Sequence, residues 1–494
     1  MSQLNSKNER NILLLGSGMM TSPFIEYLIK DYRNFITVGS FDSKLLNETV
    51  KKYAGKNIRG TLIDVVKDTE RLEELVSKVD LVASFLPPPL HPYVAKVCLK
   101  VGRNMITTSY VSDFMKEISK EVEKKGLVFM NEVGLDPGLD HIITHKVIHE
   151  EEKKGNKIIK YESWCGALPA PEICNNPLGY KFSWSPKGAL VAMNNRCFQL
   201  VNGEVVSFEP SQTIINTVNK KFHECYNIEG YYNRDSRPYI ETYNLKDAHT
   251  VIRGTLRYKG TTFAITLLKN LGLYNTEIID RSIKNWNDLF QRLLHSNNNK
   301  SFSTYNSEVE IFDSEGGNLS KKELEFLHSL SKYALSKFDM GYIKSNGGYD
   351  KLLNQAFSIF QFLEFHSKEN TLKGNLSRLD EISILLEKKL KMSENDRDMN
   401  FMQNEFDVLT KEGKIINRKL DLIVFGNHNN CGHSATALTV GTPSAICARM
   451  ILDGQIKERG VLTPTCEKIG EKILSEFEKM KIFVSEIRKT KVKF

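Results

Sequence analysis

The stretch NILLLGSGMMTSPFIEYLIKDY, residues 11–32, holds the junction that decides the fold. NILLL is an unbroken apolar run closed by glycines, which suits a strand covered on both faces. SPFIEYLIKDY (22–32) spaces its apolar residues as one face of a helix does. GSGMMT (16–21) therefore joins a strand to a helix. Gly16 permits the tight turn there, and Gly18 lets the backbone approach a pyrophosphate seated on the helix N-terminus. Thr21 stands where a third glycine is usual, so the motif needs support from its surroundings.

That support comes from the rhythm downstream. Strand-like FITVGS, IRGTLIDV, DLVASFLP, NMITTSY and LVFMNEV alternate with helix-like LLNETVKKYA, DTERLEELVSKV, HPYVAKVCLKVG and SDFMKEISKEVEKKG. Asp68 is the expected N-cap of the second of these helices. Such alternation implies a doubly wound parallel sheet with helices on both faces, the α/β class. A ribose-binding acid is expected at the tip of the second strand, and VGSFDSK offers Asp42 with no arginine after it. This tilts the cofactor from NADP toward NAD, with Lys44 as the alternative receiver of a 2′-phosphate. FLPPPLHP (85–92) ends the fourth strand at the carboxyl edge of the sheet, where ribose and nicotinamide lie in such folds.

At 494 residues the chain is too long for one core, so two or three domains are expected. From about residue 140 the rhythm changes to an α+β pattern. LDHIITHKVIHEEEKKG reads as a helix, KIIKYESWCG as a strand, and RCFQLVNGEVVSF and HTVIRGTLRYKGTTFAITLL as β-rich stretches. Between about 280 and 400 strand signals fade into helical repeats, with HSNNNKS as a polar loop. PAPEICNNPLGYKFSWSPKGAL (169–190) fits neither helix nor strand. Its prolines and glycines fix an irregular backbone that suits a rigid lining, with Phe182 and Trp184 walling a pocket or packed beneath it.

The net charge of +8 leaves no nucleic-acid footprint at this length. No apolar run approaches the roughly 20 residues that span a bilayer. The polar N-terminus shows neither a signal-peptide core nor an Arg-rich presequence. Eight scattered cysteines lack metal-ligand spacing and read as thiols of a reducing compartment, so the cytoplasm is expected and no metal.

TTSYVS (107–112), NEVGLDPGLDH (131–141), CGALPAPE (165–172), NPLGYKFSWSPKG (176–188), NRDS (233–236), VIRGTLRYKG (251–260), ENDRDMNFMQNEF (394–406) and TVGTPSAICARMILDGQIKERGVLTP (439–464) occur in this order. Together they resemble the glutamate-forming saccharopine dehydrogenases, also called saccharopine reductases. The resemblance implies a Rossmann-type dinucleotide domain plus an α+β substrate and dimerisation domain with an inserted helical subdomain. The expected segments are 1–138 (dinucleotide domain), 139–280 and 401–435 (substrate domain), 281–400 (helical insert) and 436–494 (returning to the first domain). It further implies NAD(P)-dependent oxidation of saccharopine to L-glutamate and 2-aminoadipate 6-semialdehyde, or the reverse imine reduction, by a homodimer. Animal and plant relatives carry this unit behind a lysine–ketoglutarate reductase, which is not expected here because the chain opens on the first strand.

By the same resemblance Gly16, Ser17, Gly18, Met19, Asp42, Leu86, Thr108, Ser109, Tyr110 and Val111 line the cofactor. Ser109, Asp136, Arg234, Thr255, Leu256 and Arg257 meet the substrate. Three carboxylates on saccharopine require guanidinium forks, which suits the two arginines. Tyr110, Asp136 and Cys165 are the candidates for proton transfer, with His141, Lys181 and Lys187 as further ionisable groups in matching motifs. Two other readings stand beside this one. A carboxynorspermidine- or homospermidine-type oxidoreductase shares the imine chemistry but needs acids for its polyamine, and a pseudoenzyme would keep the fold without turnover.

Overall fold

The computed structural model describes residues 9–183, 186–297, 319–427 and 432–491. The chain divides into two compact units. The first comprises Met1–Ala167, Pro238–Val251 and Arg397–Phe494, and the second Leu168–Arg237 and Ile252–Asp396. Chain order therefore crosses between them at positions where no composition change marks a boundary.

The first unit opens with β1 (Arg10–Leu15), α1 (Thr21–Leu28), β2 (Asn34–Ser40), α2 (Ser43–Lys52), β3 (Ile58–Leu62), α3 (Thr69–Ser77) and β4 (Leu81–Ser84). It continues with α4 (His91–Val101), β5 (Asn104–Thr107), α5 (Asp113–Lys124), β6 (Val128–Met130), α6 (Leu139–Lys154) and β7 (Lys157–Pro169). The second unit holds α7 (Pro186–Ala192), β8 (Cys197–Val201), β9 (Glu204–Phe208), β10 (Thr217–Val218) and β11 (Ile228–Tyr232). After α8 (Pro238–Thr242) come β12 (Thr250–Tyr258), α9 (Thr261–Asn270), α10 (Trp286–Asn297), α11 (Lys321–Leu335), α12 (Met340–Ser345), α13 (Tyr349–Phe362) and α14 (Arg378–Lys389). The chain closes with β13 (Asp398–Leu409), β14 (Ile415–Phe425), α15 (Ala435–Leu452), β15 (Gly460–Leu462), α16 (Glu467–Lys479) and β16 (Val484–Lys491).

In the first unit seven strands form a sheet in the order β15-β6-β5-β4-β1-β2-β3. Its pairings are parallel, for example Leu15 opposite both Gly39 and Ser84. The order reverses next to β1, and in open parallel sheets ligands bind at the carboxyl ends beside such a reversal. Leu13, Leu15, Val82, Met105 and Phe129 from the strands pack with Leu72, Val94, Cys98 and Val122 from helices on one face. A hairpin of β13 and β14, with β16 antiparallel along it, adds a second layer of pairing. α15 is long and apolar enough to cross a membrane, yet it is 78% buried, as a core helix is.

The second unit pairs β10, β11 and β12 in one sheet, with β8 and β9 joined through an Asn202-Gly203 turn. Both turn residues have positive φ (50° and 87°), as a two-residue hairpin loop demands. Helices α10 to α14 supply the rest of its core. α11 starts on a capping box in which the Ser320 hydroxyl accepts from Glu323 N and Glu323 reaches back to Ser320.

Three local expectations change. TTFAITLL is not strand but α9, whose first eight residues are all buried. A helix apolar all round shows no amphipathic period, so its β-branched content misleads. Asp68 precedes α3 without capping it, because its carboxylate accepts from Asp64 N at 2.9 Å. The loop HSNNNKS falls largely outside the described residues, and Trp184 wholly so.

Candidate functional site

The groove begins at the β1–α1 turn. Gly16 has φ 112°, and its N–H donates to Gly39 O at 2.8 Å. A Cβ there would lie 2.8 Å from Phe85 O, so only glycine fits. At Gly18 a Cβ would meet nothing within 4 Å. The first glycine is thus required by the protein, whereas the second leaves its space to a ligand. Such a backbone cradle at a helix N-terminus fits a dinucleotide's pyrophosphate. Gly16, Ser17, Gly18, Asp42 and Leu86 line one cleft of about 470 Å³, together with Phe41, Leu45 and Val66. Met19 is 56% exposed beside the turn.

Thr21 does the work of the missing glycine differently. Its hydroxyl donates to Gly18 O at 2.7 Å and holds the turn. The third glycine ordinarily permits close packing, and here that role falls to the facing helix. Gly441 of α15 approaches α1 so closely that a Cβ would sit 2.5 Å from Met20 O.

Asp42 also has a role within the fold. It is the N-cap of α2, and its Oδ1 accepts from Lys44 N at 2.9 Å and Leu45 N at 3.0 Å. Both N–H groups meet Oδ1, so Asp42 caps α2 with one carboxylate oxygen while lining the cleft. Ser40, which ends β2, bonds to Ser17 Oγ at 2.9 Å and accepts from Asp42 N at 3.2 Å.

The second cluster lies after β5 and β6. Tyr110 donates its hydroxyl to Asp136 Oδ1 at 2.7 Å, which joins two of the three proton-transfer candidates. Cys165, the third, is buried on β7. Thr108, Ser109 and Val111 occupy the same strand-end loop as Tyr110. Glu132 braces this loop: its N–H donates to Ser109 O at 3.0 Å, and its Oε1 accepts from Val111 N at 2.9 Å. Glu132 Oε2 meets His141 Nε2 at 2.7 Å, and His141 Nδ1 meets Tyr243 Oη at 2.6 Å. His141, 1% exposed, is thus an anchored core group. Glu132 has φ 60°, a conformation that costs a non-glycine residue roughly 1 kcal/mol or more and persists only when its surroundings hold it.

His91, Glu132 and Tyr243 were not among the sequence candidates. The first two sit inside FLPPPLHP and NEVGLDPGLDH, so the motifs were visible while the roles were not. Tyr243 had no signal, because it meets His141 across 102 residues of chain.

In the second unit, Arg234 has φ 55°, and its carbonyl accepts from Phe198 N (2.9 Å) and Gln199 Nε2 (3.2 Å). The side chain is exposed. The neighbouring acid, Asp235, forms a bidentate pair with Arg237 instead. Thr255 and Arg257 share one face of β12, and Leu256, wholly buried, faces the other way. The Arg257 guanidinium lies 5.3 Å from the Tyr180 ring centroid, and its Nη1 donates to Leu256 O. Residues 169–190 bond both among themselves and to the helical part of the second unit. Asn176 Oδ1 accepts from Leu178 N, Asn176 O from Gly179 N, and Leu390 O from Phe182 N. Lys181 and Lys187 pair with Asp396 and Asp380, each at 2.6 Å. Both lysines are thus held in ion pairs, and several N–H groups of the segment already have protein acceptors. Among the described residues no group of three or more His, Cys, Asp or Glu could hold a metal ion.

A Rossmann sheet with a glycine-lined cleft at its carboxyl edge defines a nicotinamide-dinucleotide-binding protein. Residues 12–130 match the saccharopine dehydrogenase NADP binding domain, and 134–482 match the saccharopine dehydrogenase C-terminal domain. The chain belongs to the saccharopine dehydrogenase family. It is 34% identical over 483 residues to saccharopine dehydrogenase [NADP(+), L-glutamate-forming] of Schizosaccharomyces pombe, spanning 96% of this chain and 98% of that one. It is 36% identical to the mitochondrial alpha-aminoadipic semialdehyde synthase of Bos taurus, covering 96% of this chain but 47% of the bovine protein. The chain thus spans about half the length of its animal relatives. The solved structure of saccharopine dehydrogenase (L-Glu forming) from Saccharomyces cerevisiae superposes with a TM-score of 0.82 at 30% identity, covering 97% of this chain and all of that one.

Proposed function

We propose that the chain oxidises the secondary amine of saccharopine to an imine, which water then hydrolyses to L-glutamate and 2-aminoadipate 6-semialdehyde, or runs the reverse condensation and imine reduction, with NADP as cofactor. The observation that carries this reading is a dinucleotide cradle at Gly16–Gly18 in a chain that matches fungal enzymes of that name almost end to end. The nicotinamide, when bound, supplies the hydride acceptor. The protein's own residues bind, orient and move protons. Gly18 takes the pyrophosphate on its backbone, and Ser17 and Leu86 line the path toward the nicotinamide. The 2′-phosphate of NADP is received at the tip of β2 by the Lys44 side chain.

The substrate amine must lose its proton before hydride leaves the adjacent carbon. Asp136, already accepting the Tyr110 hydroxyl, is the carboxylate placed to take it, and Tyr110 holds that carboxylate in one orientation. Arg234 and Arg257 receive carboxylates of the substrate, Thr255 supplies a hydroxyl, and Leu256 acts through its backbone. The test follows the absorbance of reduced nicotinamide with saccharopine, supplying NADP and NAD separately. Turnover with a kcat/KM at least tenfold higher for NADP is expected. No turnover with either cofactor overturns the activity, and equal kcat/KM values overturn the cofactor assignment.

A further inference from the structure

His91 opens α4 one residue after the prolines 87–89, and it is 4% exposed. Its ring touches three hydroxyls at the carboxyl ends of two adjacent strands. Nδ1 lies 2.9 Å from Ser84 Oγ; Nε2 lies 2.8 Å from Ser109 Oγ and 3.1 Å from Thr107 Oγ1. Ser84 and Thr107 are paired in the sheet and almost fully buried, at 0% and 1% exposed. Of the three, Ser109 alone is half-buried rather than buried. Burial lowers the His91 pKa to about 4, so the imidazole is neutral near pH 7. A neutral ring has one N–H and one acceptor nitrogen, enough to tie both strand ends together. A serine hydroxyl left alone samples three staggered rotamers. Bonded to a ring nitrogen that is itself held from the other side, it keeps one.

We propose that His91 is a positioning residue for the reaction: it holds the Ser109 hydroxyl in the single rotamer that faces the ligand at the carboxyl edge of the sheet. The inference rests on the proposed reaction and on the reading, implied by the family resemblance, of Ser109 as a residue that meets cofactor and substrate. Losing one neutral hydrogen bond that orients a ligand group corresponds to a loss of up to about tenfold.

The test compares His91→Gln, whose amide reaches the place of the imidazole Nε2, with His91→Asn, whose amide reaches only the place of Nδ1. With saccharopine as substrate, His91→Asn is expected to lose about tenfold in kcat/KM, while His91→Gln stays within about threefold of the unaltered chain. The same His91→Asn change made on Ser109→Ala is expected to cost nothing further. Equal losses in the two variants, or losses that add on Ser109→Ala, overturn the proposal, because a merely structural histidine would behave so. A second measurement needs neither turnover nor a foldable His91 variant: the ¹⁵N resonances of labelled histidine in the unaltered chain and in Ser109→Ala. A shift of the His91 Nε2 signal is expected, and an unmoved signal overturns the contact. Ser109→Ala kinetics equal to those of the unaltered chain would overturn the ligand-facing role of Ser109, and the proposal with it. Lack of turnover by the unaltered chain would sink the reaction instead, leaving the resonance experiment to decide on His91.

Discussion

Gly16 and Gly18 look alike in GSG but answer to different physics. Gly16 is held by its own protein, with a φ of 112° and Phe85 O where a Cβ would go, whereas the space beside Gly18 is open. Gly16→Val is expected to destabilise the fold by about 2 kcal/mol or more, read by urea denaturation, because both backbone and packing reject it. Gly18→Val should leave stability within about 0.5 kcal/mol yet weaken NADP binding at least tenfold, read by fluorescence titration. Comparable destabilisation by both substitutions would refute the assignment of Gly18 to the ligand. Asp42 teaches the complementary point. Its position in the sequence suggested a ribose acid, and the structure adds what the sequence reading left out: Oδ1 accepts from two backbone N–H groups at the start of α2.

Elements rather than single residues decide how the glycine turn is supported. α1 packs on α15, a helix more than 400 residues later in the chain, and Gly441 makes that approach possible. Gly441→Leu is expected to push the helices apart and cost about 1–3 kcal/mol by chemical denaturation, with NADP affinity falling as the turn loosens. A fully stable variant with normal NADP affinity would show that the close approach is dispensable. This compensation was invisible in the sequence, since Thr21 was legible only as a departure from a pattern. α9 was misread for a related reason: it is buried on every side, so hydrophobic periodicity carries no direction. By contrast, β1, β2, β4, β5 and β6 were legible, because the interior of a parallel sheet covered on both faces demands apolar runs separated by amphipathic helices.

At the scale of the molecule, the first unit is tied together by charge as well as by its sheet. Arg418, 2% exposed by side chain, donates to Glu150 (2.7 Å), Glu151 (2.5 Å) and Glu486 (2.6 Å), which come from α6 and β16. Burial alone would raise the Glu486 pKa, but hydrogen bonds from Arg488 and Arg418 outweigh it and hold the carboxyl at about 2. A depressed folded-state pKa contributes stability above the unfolded value, near 4.5, and that contribution is lost as pH falls toward 2. Arg418→Met should therefore lower stability by about 3 kcal/mol at pH 7 and flatten the acid limb between pH 5 and 2. Denaturant titrations across that range check it, and an unchanged acid limb would show that the cluster is not linked to folding.

The sequence by itself determined the α/β alternation, the glycine turn and the family motifs, because these depend on local periodicity and on residue types that few other contexts tolerate. The tertiary structure alone decided that Asp42 caps a helix, that Lys181 and Lys187 pair with Asp396 and Asp380, and that His91 gathers hydroxyls from two strand ends. Each of those outcomes depends on which polar partner comes within hydrogen-bond distance once the chain has folded. That distance is set by packing between residues far apart in sequence, where no local pattern records it.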